Sequence, residues 1–77
     1  MIADKTIEQI CAENKGLIIS MSNKYHNRFP KSYSIKDIMQ IAWEHMIIAI
    51  KKYDPSMNVK MGTFLAMCIR NGFSKAQ

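Results

Sequence analysis

Apolar side chains recur every three or four residues along most of the chain, which is the spacing of one face of an α-helix. The first such segment runs from Ile7 to Tyr25. At its start, Thr6 and Gln9 have the residue types and the spacing of a helix capping box. Gly16 interrupts this segment, and glycine weakens a helix by about 1 kcal/mol relative to alanine. We therefore expect either one long helix with a weak point or two helices in series.

The second helical segment lies between two prolines. Pro30 ends the preceding helix because proline cannot donate a backbone hydrogen bond, and Pro55 ends the next because it forces Asp54 out of the helical region. We therefore expect a helix from about Ile35 to Tyr53. One apolar stripe of this helix is sufficient to face a small core; its members are Ile38, Ala42, Met46 or His45, Ala49 and Tyr53.

The same helix carries a second face that a small core does not explain. This face combines carboxylate, amide, indole and aliphatic side chains, in Asp37, Gln40, Trp43, Glu44 and Ile47. The simplest explanation is that another helix packs against it. A protein-binding surface fits the mixture better, because tryptophan is enriched at interface hot spots and flanking polar groups fix the register. The exposure of Trp43 in the folded chain distinguishes the two explanations.

The last helix is predicted to begin at Gly62 or Thr63 and to run through Phe73. No segment alternates apolar and polar residues over the length of a strand. The predicted fold class is therefore all-α, a compact bundle of three to four helices that forms a single domain over residues 1–77. The longest fully apolar stretch has only five residues, and the N-terminus lacks the apolar run of a signal peptide. We expect a cytoplasmic protein with no membrane partner.

The formal net charge of +5 lies mostly in the second part of the chain. Residues 1–44 carry a net charge of +1, whereas residues 45–77 carry +4. A basic half on a small intracellular domain favours nucleic acid as a partner, although a lysine-rich solubilising surface would have the same charge. Nine lysines against two arginines favour attraction to the phosphate backbone over bidentate contacts with base edges.

Candidate metal ligands and nucleophiles are sparse. The cysteines and histidines, Cys11, His26, His45 and Cys68, have separations that match no zinc-binding pattern. We expect two reduced thiols and neither a metal nor a cofactor. No serine lies in a GxSxG motif, and the helical rise puts Asp37 and Glu44 about 10 Å apart, too far for a coupled pair. The sequence predicts no enzymatic activity.

Several fragments of the chain, in order and at the right spacing, resemble the second domain of bacterial RNA polymerase sigma factors. Residues 13–25, ENKGLIISMSNKY, resemble the family's ENLRLVxxxAxKY, and residues 37–40 resemble its DLxQ. Residues 49–55, AIKKYDP, are similar to AVxKFDP. KMGTFL at residues 60–65 stands where the family has KFSTYA, and residues 69–71 match IRx. The resemblance extends from about residue 9 to the end of the chain.

This resemblance implies a helical domain with two partners. The face with DLxQ would dock on the clamp helices of the largest subunit of core RNA polymerase, through Asp37, Gln40, Trp43, Glu44 and Ile47. The loop and last helix would hold the melted non-template strand of the −10 promoter element. Basic side chains would contact its phosphates, and polarisable or flat side chains would stack on its nucleobases. The residues implied are Lys52, Lys60, Phe64, Met67, Arg70, Asn71 and Lys75. An anti-sigma factor would be a further partner.

The chain also departs from the family. Met67 and Cys68 stand where housekeeping sigma factors carry a tryptophan pair that wedges into duplex DNA. Stacking worth about 1–3 kcal/mol per base is therefore reduced, and the resemblance to alternative sigma factors suggests residues 56–61 as a base pocket instead. No helix-turn-helix for the −35 element follows, so we expect an excised domain or a miniature, for example phage-encoded, sigma-like protein that cannot direct initiation alone.

Three interpretations of the function remain open. The first is an initiation module that binds polymerase and the −10 strand, and the second is a sigma mimic that occupies the polymerase site without binding DNA. A duplex-binding module unrelated to polymerase is the least favoured. Under the first, Asp37→Ala or Gln40→Ala is expected to abolish capture by polymerase without lowering the melting temperature.

Overall fold

The computed structural model describes residues 6–76, apart from the side chain of Ala76, so the predicted domain over residues 1–77 includes residues 1–5 and Gln77, which lie outside the described residues. Over this range the chain forms four α-helices and no strand: α1 (Ile7–Glu13), α2 (Lys15–Tyr25), α3 (Ile35–Lys52) and α4 (Met61–Ala76). A single 3-10 turn follows α2. The prediction of an all-α bundle is confirmed. None of these helices is both long and apolar enough to cross a membrane.

Reciprocal hydrogen bonds begin both α1 and α3. The Thr6 hydroxyl accepts from the Gln9 amide at 3.1 Å, and the Gln9 side chain accepts from the Thr6 amide at 2.9 Å. At the start of α3, the Ser34 hydroxyl accepts from the Asp37 amide at 3.2 Å, and the Asp37 carboxylate accepts from the Ser34 amide at 2.9 Å. Each pair satisfies backbone N–H groups that have no partner within the first turn.

The first helical segment is divided into two helices, and the break lies at Asn14 rather than at Gly16. The Asn14 side chain donates a hydrogen bond of 2.8 Å to the backbone carbonyl of Ile10. Asparagine interrupts helices in this way because its short amide competes for backbone groups. Gly16 lies inside α2, in open space.

The core lies where α3 packs against α4 and is closed by α1 and α2. From α3 it takes Ile38, Ala42, Met46, Ala49 and Ile50; from the other helices it takes Ile10, Ile18, Tyr25, Leu65, Ile69 and Phe73. The sequence left Met46 and His45 as alternatives, and Met46 is the buried one. Tyr53, predicted to end the stripe, is half-buried, and Ile50 is buried instead.

An aromatic cluster fixes the turn after α2 to the end of α4. The Phe73 ring lies 5.2 Å from the Tyr25 ring and 5.6 Å from the Phe29 ring, measured between centroids. Tyr33 also packs on Phe29, with a centroid distance of 5.1 Å. Rings at these separations contribute more than their buried area alone. The cluster sets the position of α4 relative to α2.

Candidate functional site

The five residues predicted to bind polymerase form a stripe on the outer side of α3, called the α3 stripe below. Asp37, Gln40 and Glu44 are exposed, and Ile47 is 36% exposed. Trp43 is half-buried because part of its ring packs against the core. The α3 stripe is therefore a polar ridge with an apolar edge, and a partner can still reach the tryptophan.

Asp37 has a structural role in addition to its predicted contact with polymerase. Its carboxylate is half of the capping box that begins α3. A helix cap contributes about 1 kcal/mol, so we correct the expectation that Asp37→Ala leaves stability unchanged. Gln40 carries no such hydrogen bond in the capping box, and it is exposed. Gln40 is therefore the cleaner position at which to test binding.

A groove of about 600 Å³ runs between α2 and α4 and is called the α2–α4 groove. Its walls are Leu17, Met21, Lys24 and Tyr25 from α2, and Gly62, Thr63, Ala66, Met67 and Arg70 from α4. Met67 and Arg70 were predicted to bind nucleic acid, but the contribution of α2 was missed. The signal was present in the sequence, since Leu17, Met21 and Lys24 are four and three residues apart and share one helix face.

The chemistry of the groove suits a flat anionic ligand. Its lining includes two cations, Lys24 and Arg70, and no carboxylate. Met67 is 43% exposed and offers a polarisable thioether at the surface. A third cation, Arg28, lies over the Tyr25 ring at 5.0 Å from its centroid. Cations beside an apolar floor are the combination that single-stranded nucleic acid requires.

The loop between α3 and α4 is tied back onto the end of α3. The Tyr53 hydroxyl donates a 2.8 Å hydrogen bond to the carbonyl of Val59. The Tyr53 ring also packs on Phe64, with centroids 5.6 Å apart. Phe64 is therefore half-buried, and only part of its ring is available to stack on a base. A base pocket at residues 56–61 stays a prediction.

The basic residues predicted to bind nucleic acid do not form one surface. Lys52, Asn71 and Lys75 line a second, smaller depression between α3 and α4. Arg70 and Lys75 are five residues apart, which is about 140° around the helix axis. Lys60 lies one residue before α4 and is exposed. The exposed face of α4 thus has the α2–α4 groove along one edge and a separate depression along the other.

Both cysteines are free and half-buried. Burial raises the pKa of the Cys11 thiol, and the negative charge of Glu8 adds to the effect. Burial also raises the pKa of the Cys68 thiol, although the nearby Lys52 charge opposes it. Raised pKa values keep thiols in the protonated form, which is neither a strong nucleophile nor a metal ligand. Within residues 6–76, no three His, Cys, Asp or Glu side chains come together to hold a metal ion.

The chain is thus a helical bundle with an exposed polar and aromatic stripe on α3 and a basic groove between α2 and α4. The Sigma-70 region 2 family profile matches residues 11–76, and the chain belongs to that family. This finding confirms the resemblance given by the sequence fragments. No curated protein and no solved structure matches the chain significantly. Membership gives the chain a sigma-factor-like role in RNA polymerase binding and promoter recognition.

Proposed function

We propose that this chain docks on the clamp helices of the largest subunit of core RNA polymerase through the α3 stripe, and holds the melted non-template strand of the −10 element in the α2–α4 groove. The observation that supports this proposal most is the basic, carboxylate-free groove on a face separate from the α3 stripe. Because the two surfaces do not overlap, both partners can be bound at once.

For polymerase, the α3 stripe offers both apolar side chains that can anchor the partner and polar side chains that can fix its orientation. Trp43 and Ile47 supply apolar area at one edge, whereas Gln40 and Glu44 offer hydrogen-bonding groups on the ridge. Interfaces commonly have this composition, with an aromatic anchor and polar groups that fix the orientation. Two facing helices of a coiled coil suit such a narrow ridge.

On the DNA side, Arg70 and Lys24 would contact phosphates while Met67 and Leu17 line the place of a base. Arginine binds a phosphate through two parallel N–H groups, and lysine acts as a point charge. Stacking on a thioether is weaker than on the tryptophans of housekeeping sigma factors. The proposal therefore implies a modest affinity that depends strongly on salt.

Lys52, Asn71 and Lys75 remain predicted nucleic-acid contacts on the basis of charge. A strand held in the α2–α4 groove would have to cross the exposed face of α4 to reach them. Lys60 and Phe64 lie nearer the start of α4 and are proposed to meet the strand at that end of the groove.

One observation favours a second candidate function. Phe64 is partly covered by Tyr53, and Met67 takes the place of a tryptophan. A chain with reduced stacking could occupy the polymerase site without opening or holding DNA. This alternative is the sigma mimic, which would block or redirect the host sigma factor.

Fluorescence anisotropy with a labelled −10 non-template oligonucleotide, at several salt concentrations, separates the two. We expect binding with a −10 sequence preference and a steep salt dependence, which Lys24→Ala and Arg70→Ala weaken and Lys15→Ala does not. Lys15 is the matched control because it lies on α2 but not in the groove. Polymerase binding without oligonucleotide binding would identify the mimic. Binding to neither would refute both functions.

A further inference from the structure

The depression between α3 and α4 combines two lysines with an exposed aliphatic side chain, and the DNA contacts proposed above for Lys52 and Lys75 do not account for that aliphatic side chain. Its volume is about 200 Å³, and we call it the α3–α4 cleft. From α3 it takes His45, Ile48, Ala49 and Lys52, and from α4 it takes Cys68, Asn71, Gly72 and Lys75. Its α3 wall spans two helical turns, or about 10 Å. An occupant must therefore be short.

Ile48 is the most unusual member of this lining. Its side chain is 47% exposed, more than that of any other large apolar residue among those described. It is not a member of the α3 stripe, so the contact with polymerase proposed above does not account for it. Isolated exposed apolar residues are common. Ile48, however, lies at the wall of a concave surface beside the buried Ala49 and the half-buried Cys68.

The charged side chains that line the cleft are positive. Its lining contains Lys52 from α3 and Lys75 from α4 and no carboxylate. Lys52 is exposed and shares this lining with the half-buried Cys68. A ligand that fits this cleft must combine negative charge with an apolar group placed between the charges.

We infer that the α3–α4 cleft docks a short acidic, amphipathic segment of another protein, with an aliphatic side chain against Ile48 and carboxylates on Lys52 and Lys75. Charge complementarity would fix the register, and burial of the aliphatic group would supply affinity. A DNA backbone would satisfy the two lysines. It would gain little from Ile48, because the sugars and phosphates offer much less apolar surface than an aliphatic side chain.

The test uses the whole chain and a fluorescein-labelled helical peptide of about three turns, with leucines on one face and glutamates at both edges of that face. Two further peptides, with serine for leucine and with lysine for glutamate, separate the apolar and charged contributions. A short DNA duplex is titrated in parallel. We expect the acidic leucine peptide to bind and the two altered peptides to bind at least tenfold more weakly.

Variants of the chain place the binding in the cleft. We expect Ile48→Ser and Lys75→Glu to weaken peptide binding at least tenfold. Ile19→Ser is the matched control, because Ile19 is 41% exposed but lies on α2 and outside the cleft. Thermal unfolding confirms that each variant is folded. Gln40→Ala, which should abolish polymerase binding, is expected to leave peptide binding unchanged, so the two proposals fail independently.

Three results would overturn the inference. One is a duplex that competes for Lys52 and Lys75 while Ile48→Ser leaves peptide binding unchanged, which would make the cleft a DNA contact without an apolar subsite. Another is the absence of any peptide binding. The third is self-association in sedimentation that Ile48→Ser removes, which would make a second copy of the chain the occupant.

Discussion

The imidazole ring of His45 on α3 lies against Gly72 on α4, in the space that a β-carbon at position 72 would occupy. Gly72 is buried within a helix, where glycine costs roughly 0.5–1 kcal/mol relative to alanine. The close approach of the two helices explains why glycine is needed there. Because Gly72 has no side chain, α4 leaves room for the His45 ring of α3.

Gly72→Ala is therefore expected to destabilise the chain by about 1–3 kcal/mol, because its β-carbon would overlap the His45 ring and force α3 and α4 apart. Urea unfolding followed by circular dichroism measures the change. Gly62→Ala is the control in the same helix: nothing lies within 4 Å of its added β-carbon, so it should be neutral or stabilising by up to about 1 kcal/mol.

The double variant His45→Ala with Gly72→Ala tests the cause. Removing the ring should restore much of the stability that Gly72→Ala loses, beyond the sum of the single effects. If Gly72→Ala alone were as stable as the natural chain, the close contact would not be a constraint on the fold.

A second prediction concerns Ser22, whose hydroxyl is fully buried and has no hydrogen-bond partner among the described residues. A buried polar group without a partner costs about 1–3 kcal/mol. Alanine stands at this place in the motif that residues 13–25 resemble. Ser22→Ala should therefore raise the free energy of unfolding by about 1 kcal/mol or more.

Alanine also favours helices, so Ser20→Ala serves as the control for Ser22→Ala. Ser20 lies two residues earlier in α2 and is exposed. The gain at Ser22 in thermal or urea unfolding should exceed the gain at Ser20. Equal gains would show that helix propensity, and not the buried hydroxyl, accounts for the change.

The features that the sequence predicted correctly are those that neighbouring residues determine. The capping box of Thr6 and Gln9 joins residues three apart, so the pattern alone was sufficient. The choice between Met46 and His45 could not be made from periodicity, because neighbouring positions on α3 differ by only 100° and the answer depends on where α4 lies. The share of α2 in the groove was missed for the same reason: it depends on contacts between helices far apart in sequence.

The third prediction separates binding from capping at the start of α3. Gln40→Ala should abolish capture by core polymerase and leave the melting temperature unchanged. Asp37→Ala should weaken capture and also cost about 1 kcal/mol, because the capping hydrogen bond to the Ser34 amide is lost. Pull-down with purified polymerase and thermal unfolding measure the two effects.

Ser34→Ala is the matched variant for this test. It removes the hydroxyl that caps α3 but retains the Asp37 carboxylate. It should lose stability and still bind polymerase at a temperature well below its melting point. Loss of polymerase binding in Ser34→Ala would assign the effect of Asp37 to the cap and not to a contact.

The fourth prediction concerns Asp54 in the loop before α4. The backbone N–H of Ser56 donates to its carboxylate at 2.9 Å, and this bond, with a further one from the Ser56 side chain, lowers the pKa of Asp54. A lowered pKa means that the folded chain favours the ionised form. The contribution to stability is complete above the ordinary carboxyl pKa and is lost as the pH falls through the lowered value.

Titration of the carboxyl carbons by nuclear magnetic resonance measures this directly. The Asp54 signal should titrate below the ordinary value of about 3.9. Asp54→Asn should remove the corresponding part of the acid dependence of the melting temperature. A normal pKa for Asp54 would mean that the turn at residues 54–56 does not persist in solution.

The last prediction restores the stacking that the chain lacks. Met67 is 43% exposed at the edge of the α2–α4 groove, so a tryptophan there has room at the surface. Stacking on an aromatic ring is worth about 1–3 kcal/mol per base, and the thioether already supplies part of it. Met67→Trp should therefore raise the affinity for the −10 non-template oligonucleotide roughly tenfold, near the lower end of that range.

Cys68→Trp is the control, because Cys68 is half-buried and lines the α3–α4 cleft instead. It should destabilise the bundle without improving DNA binding. An unchanged affinity in a folded Met67→Trp variant would show that the strand does not pass through the groove.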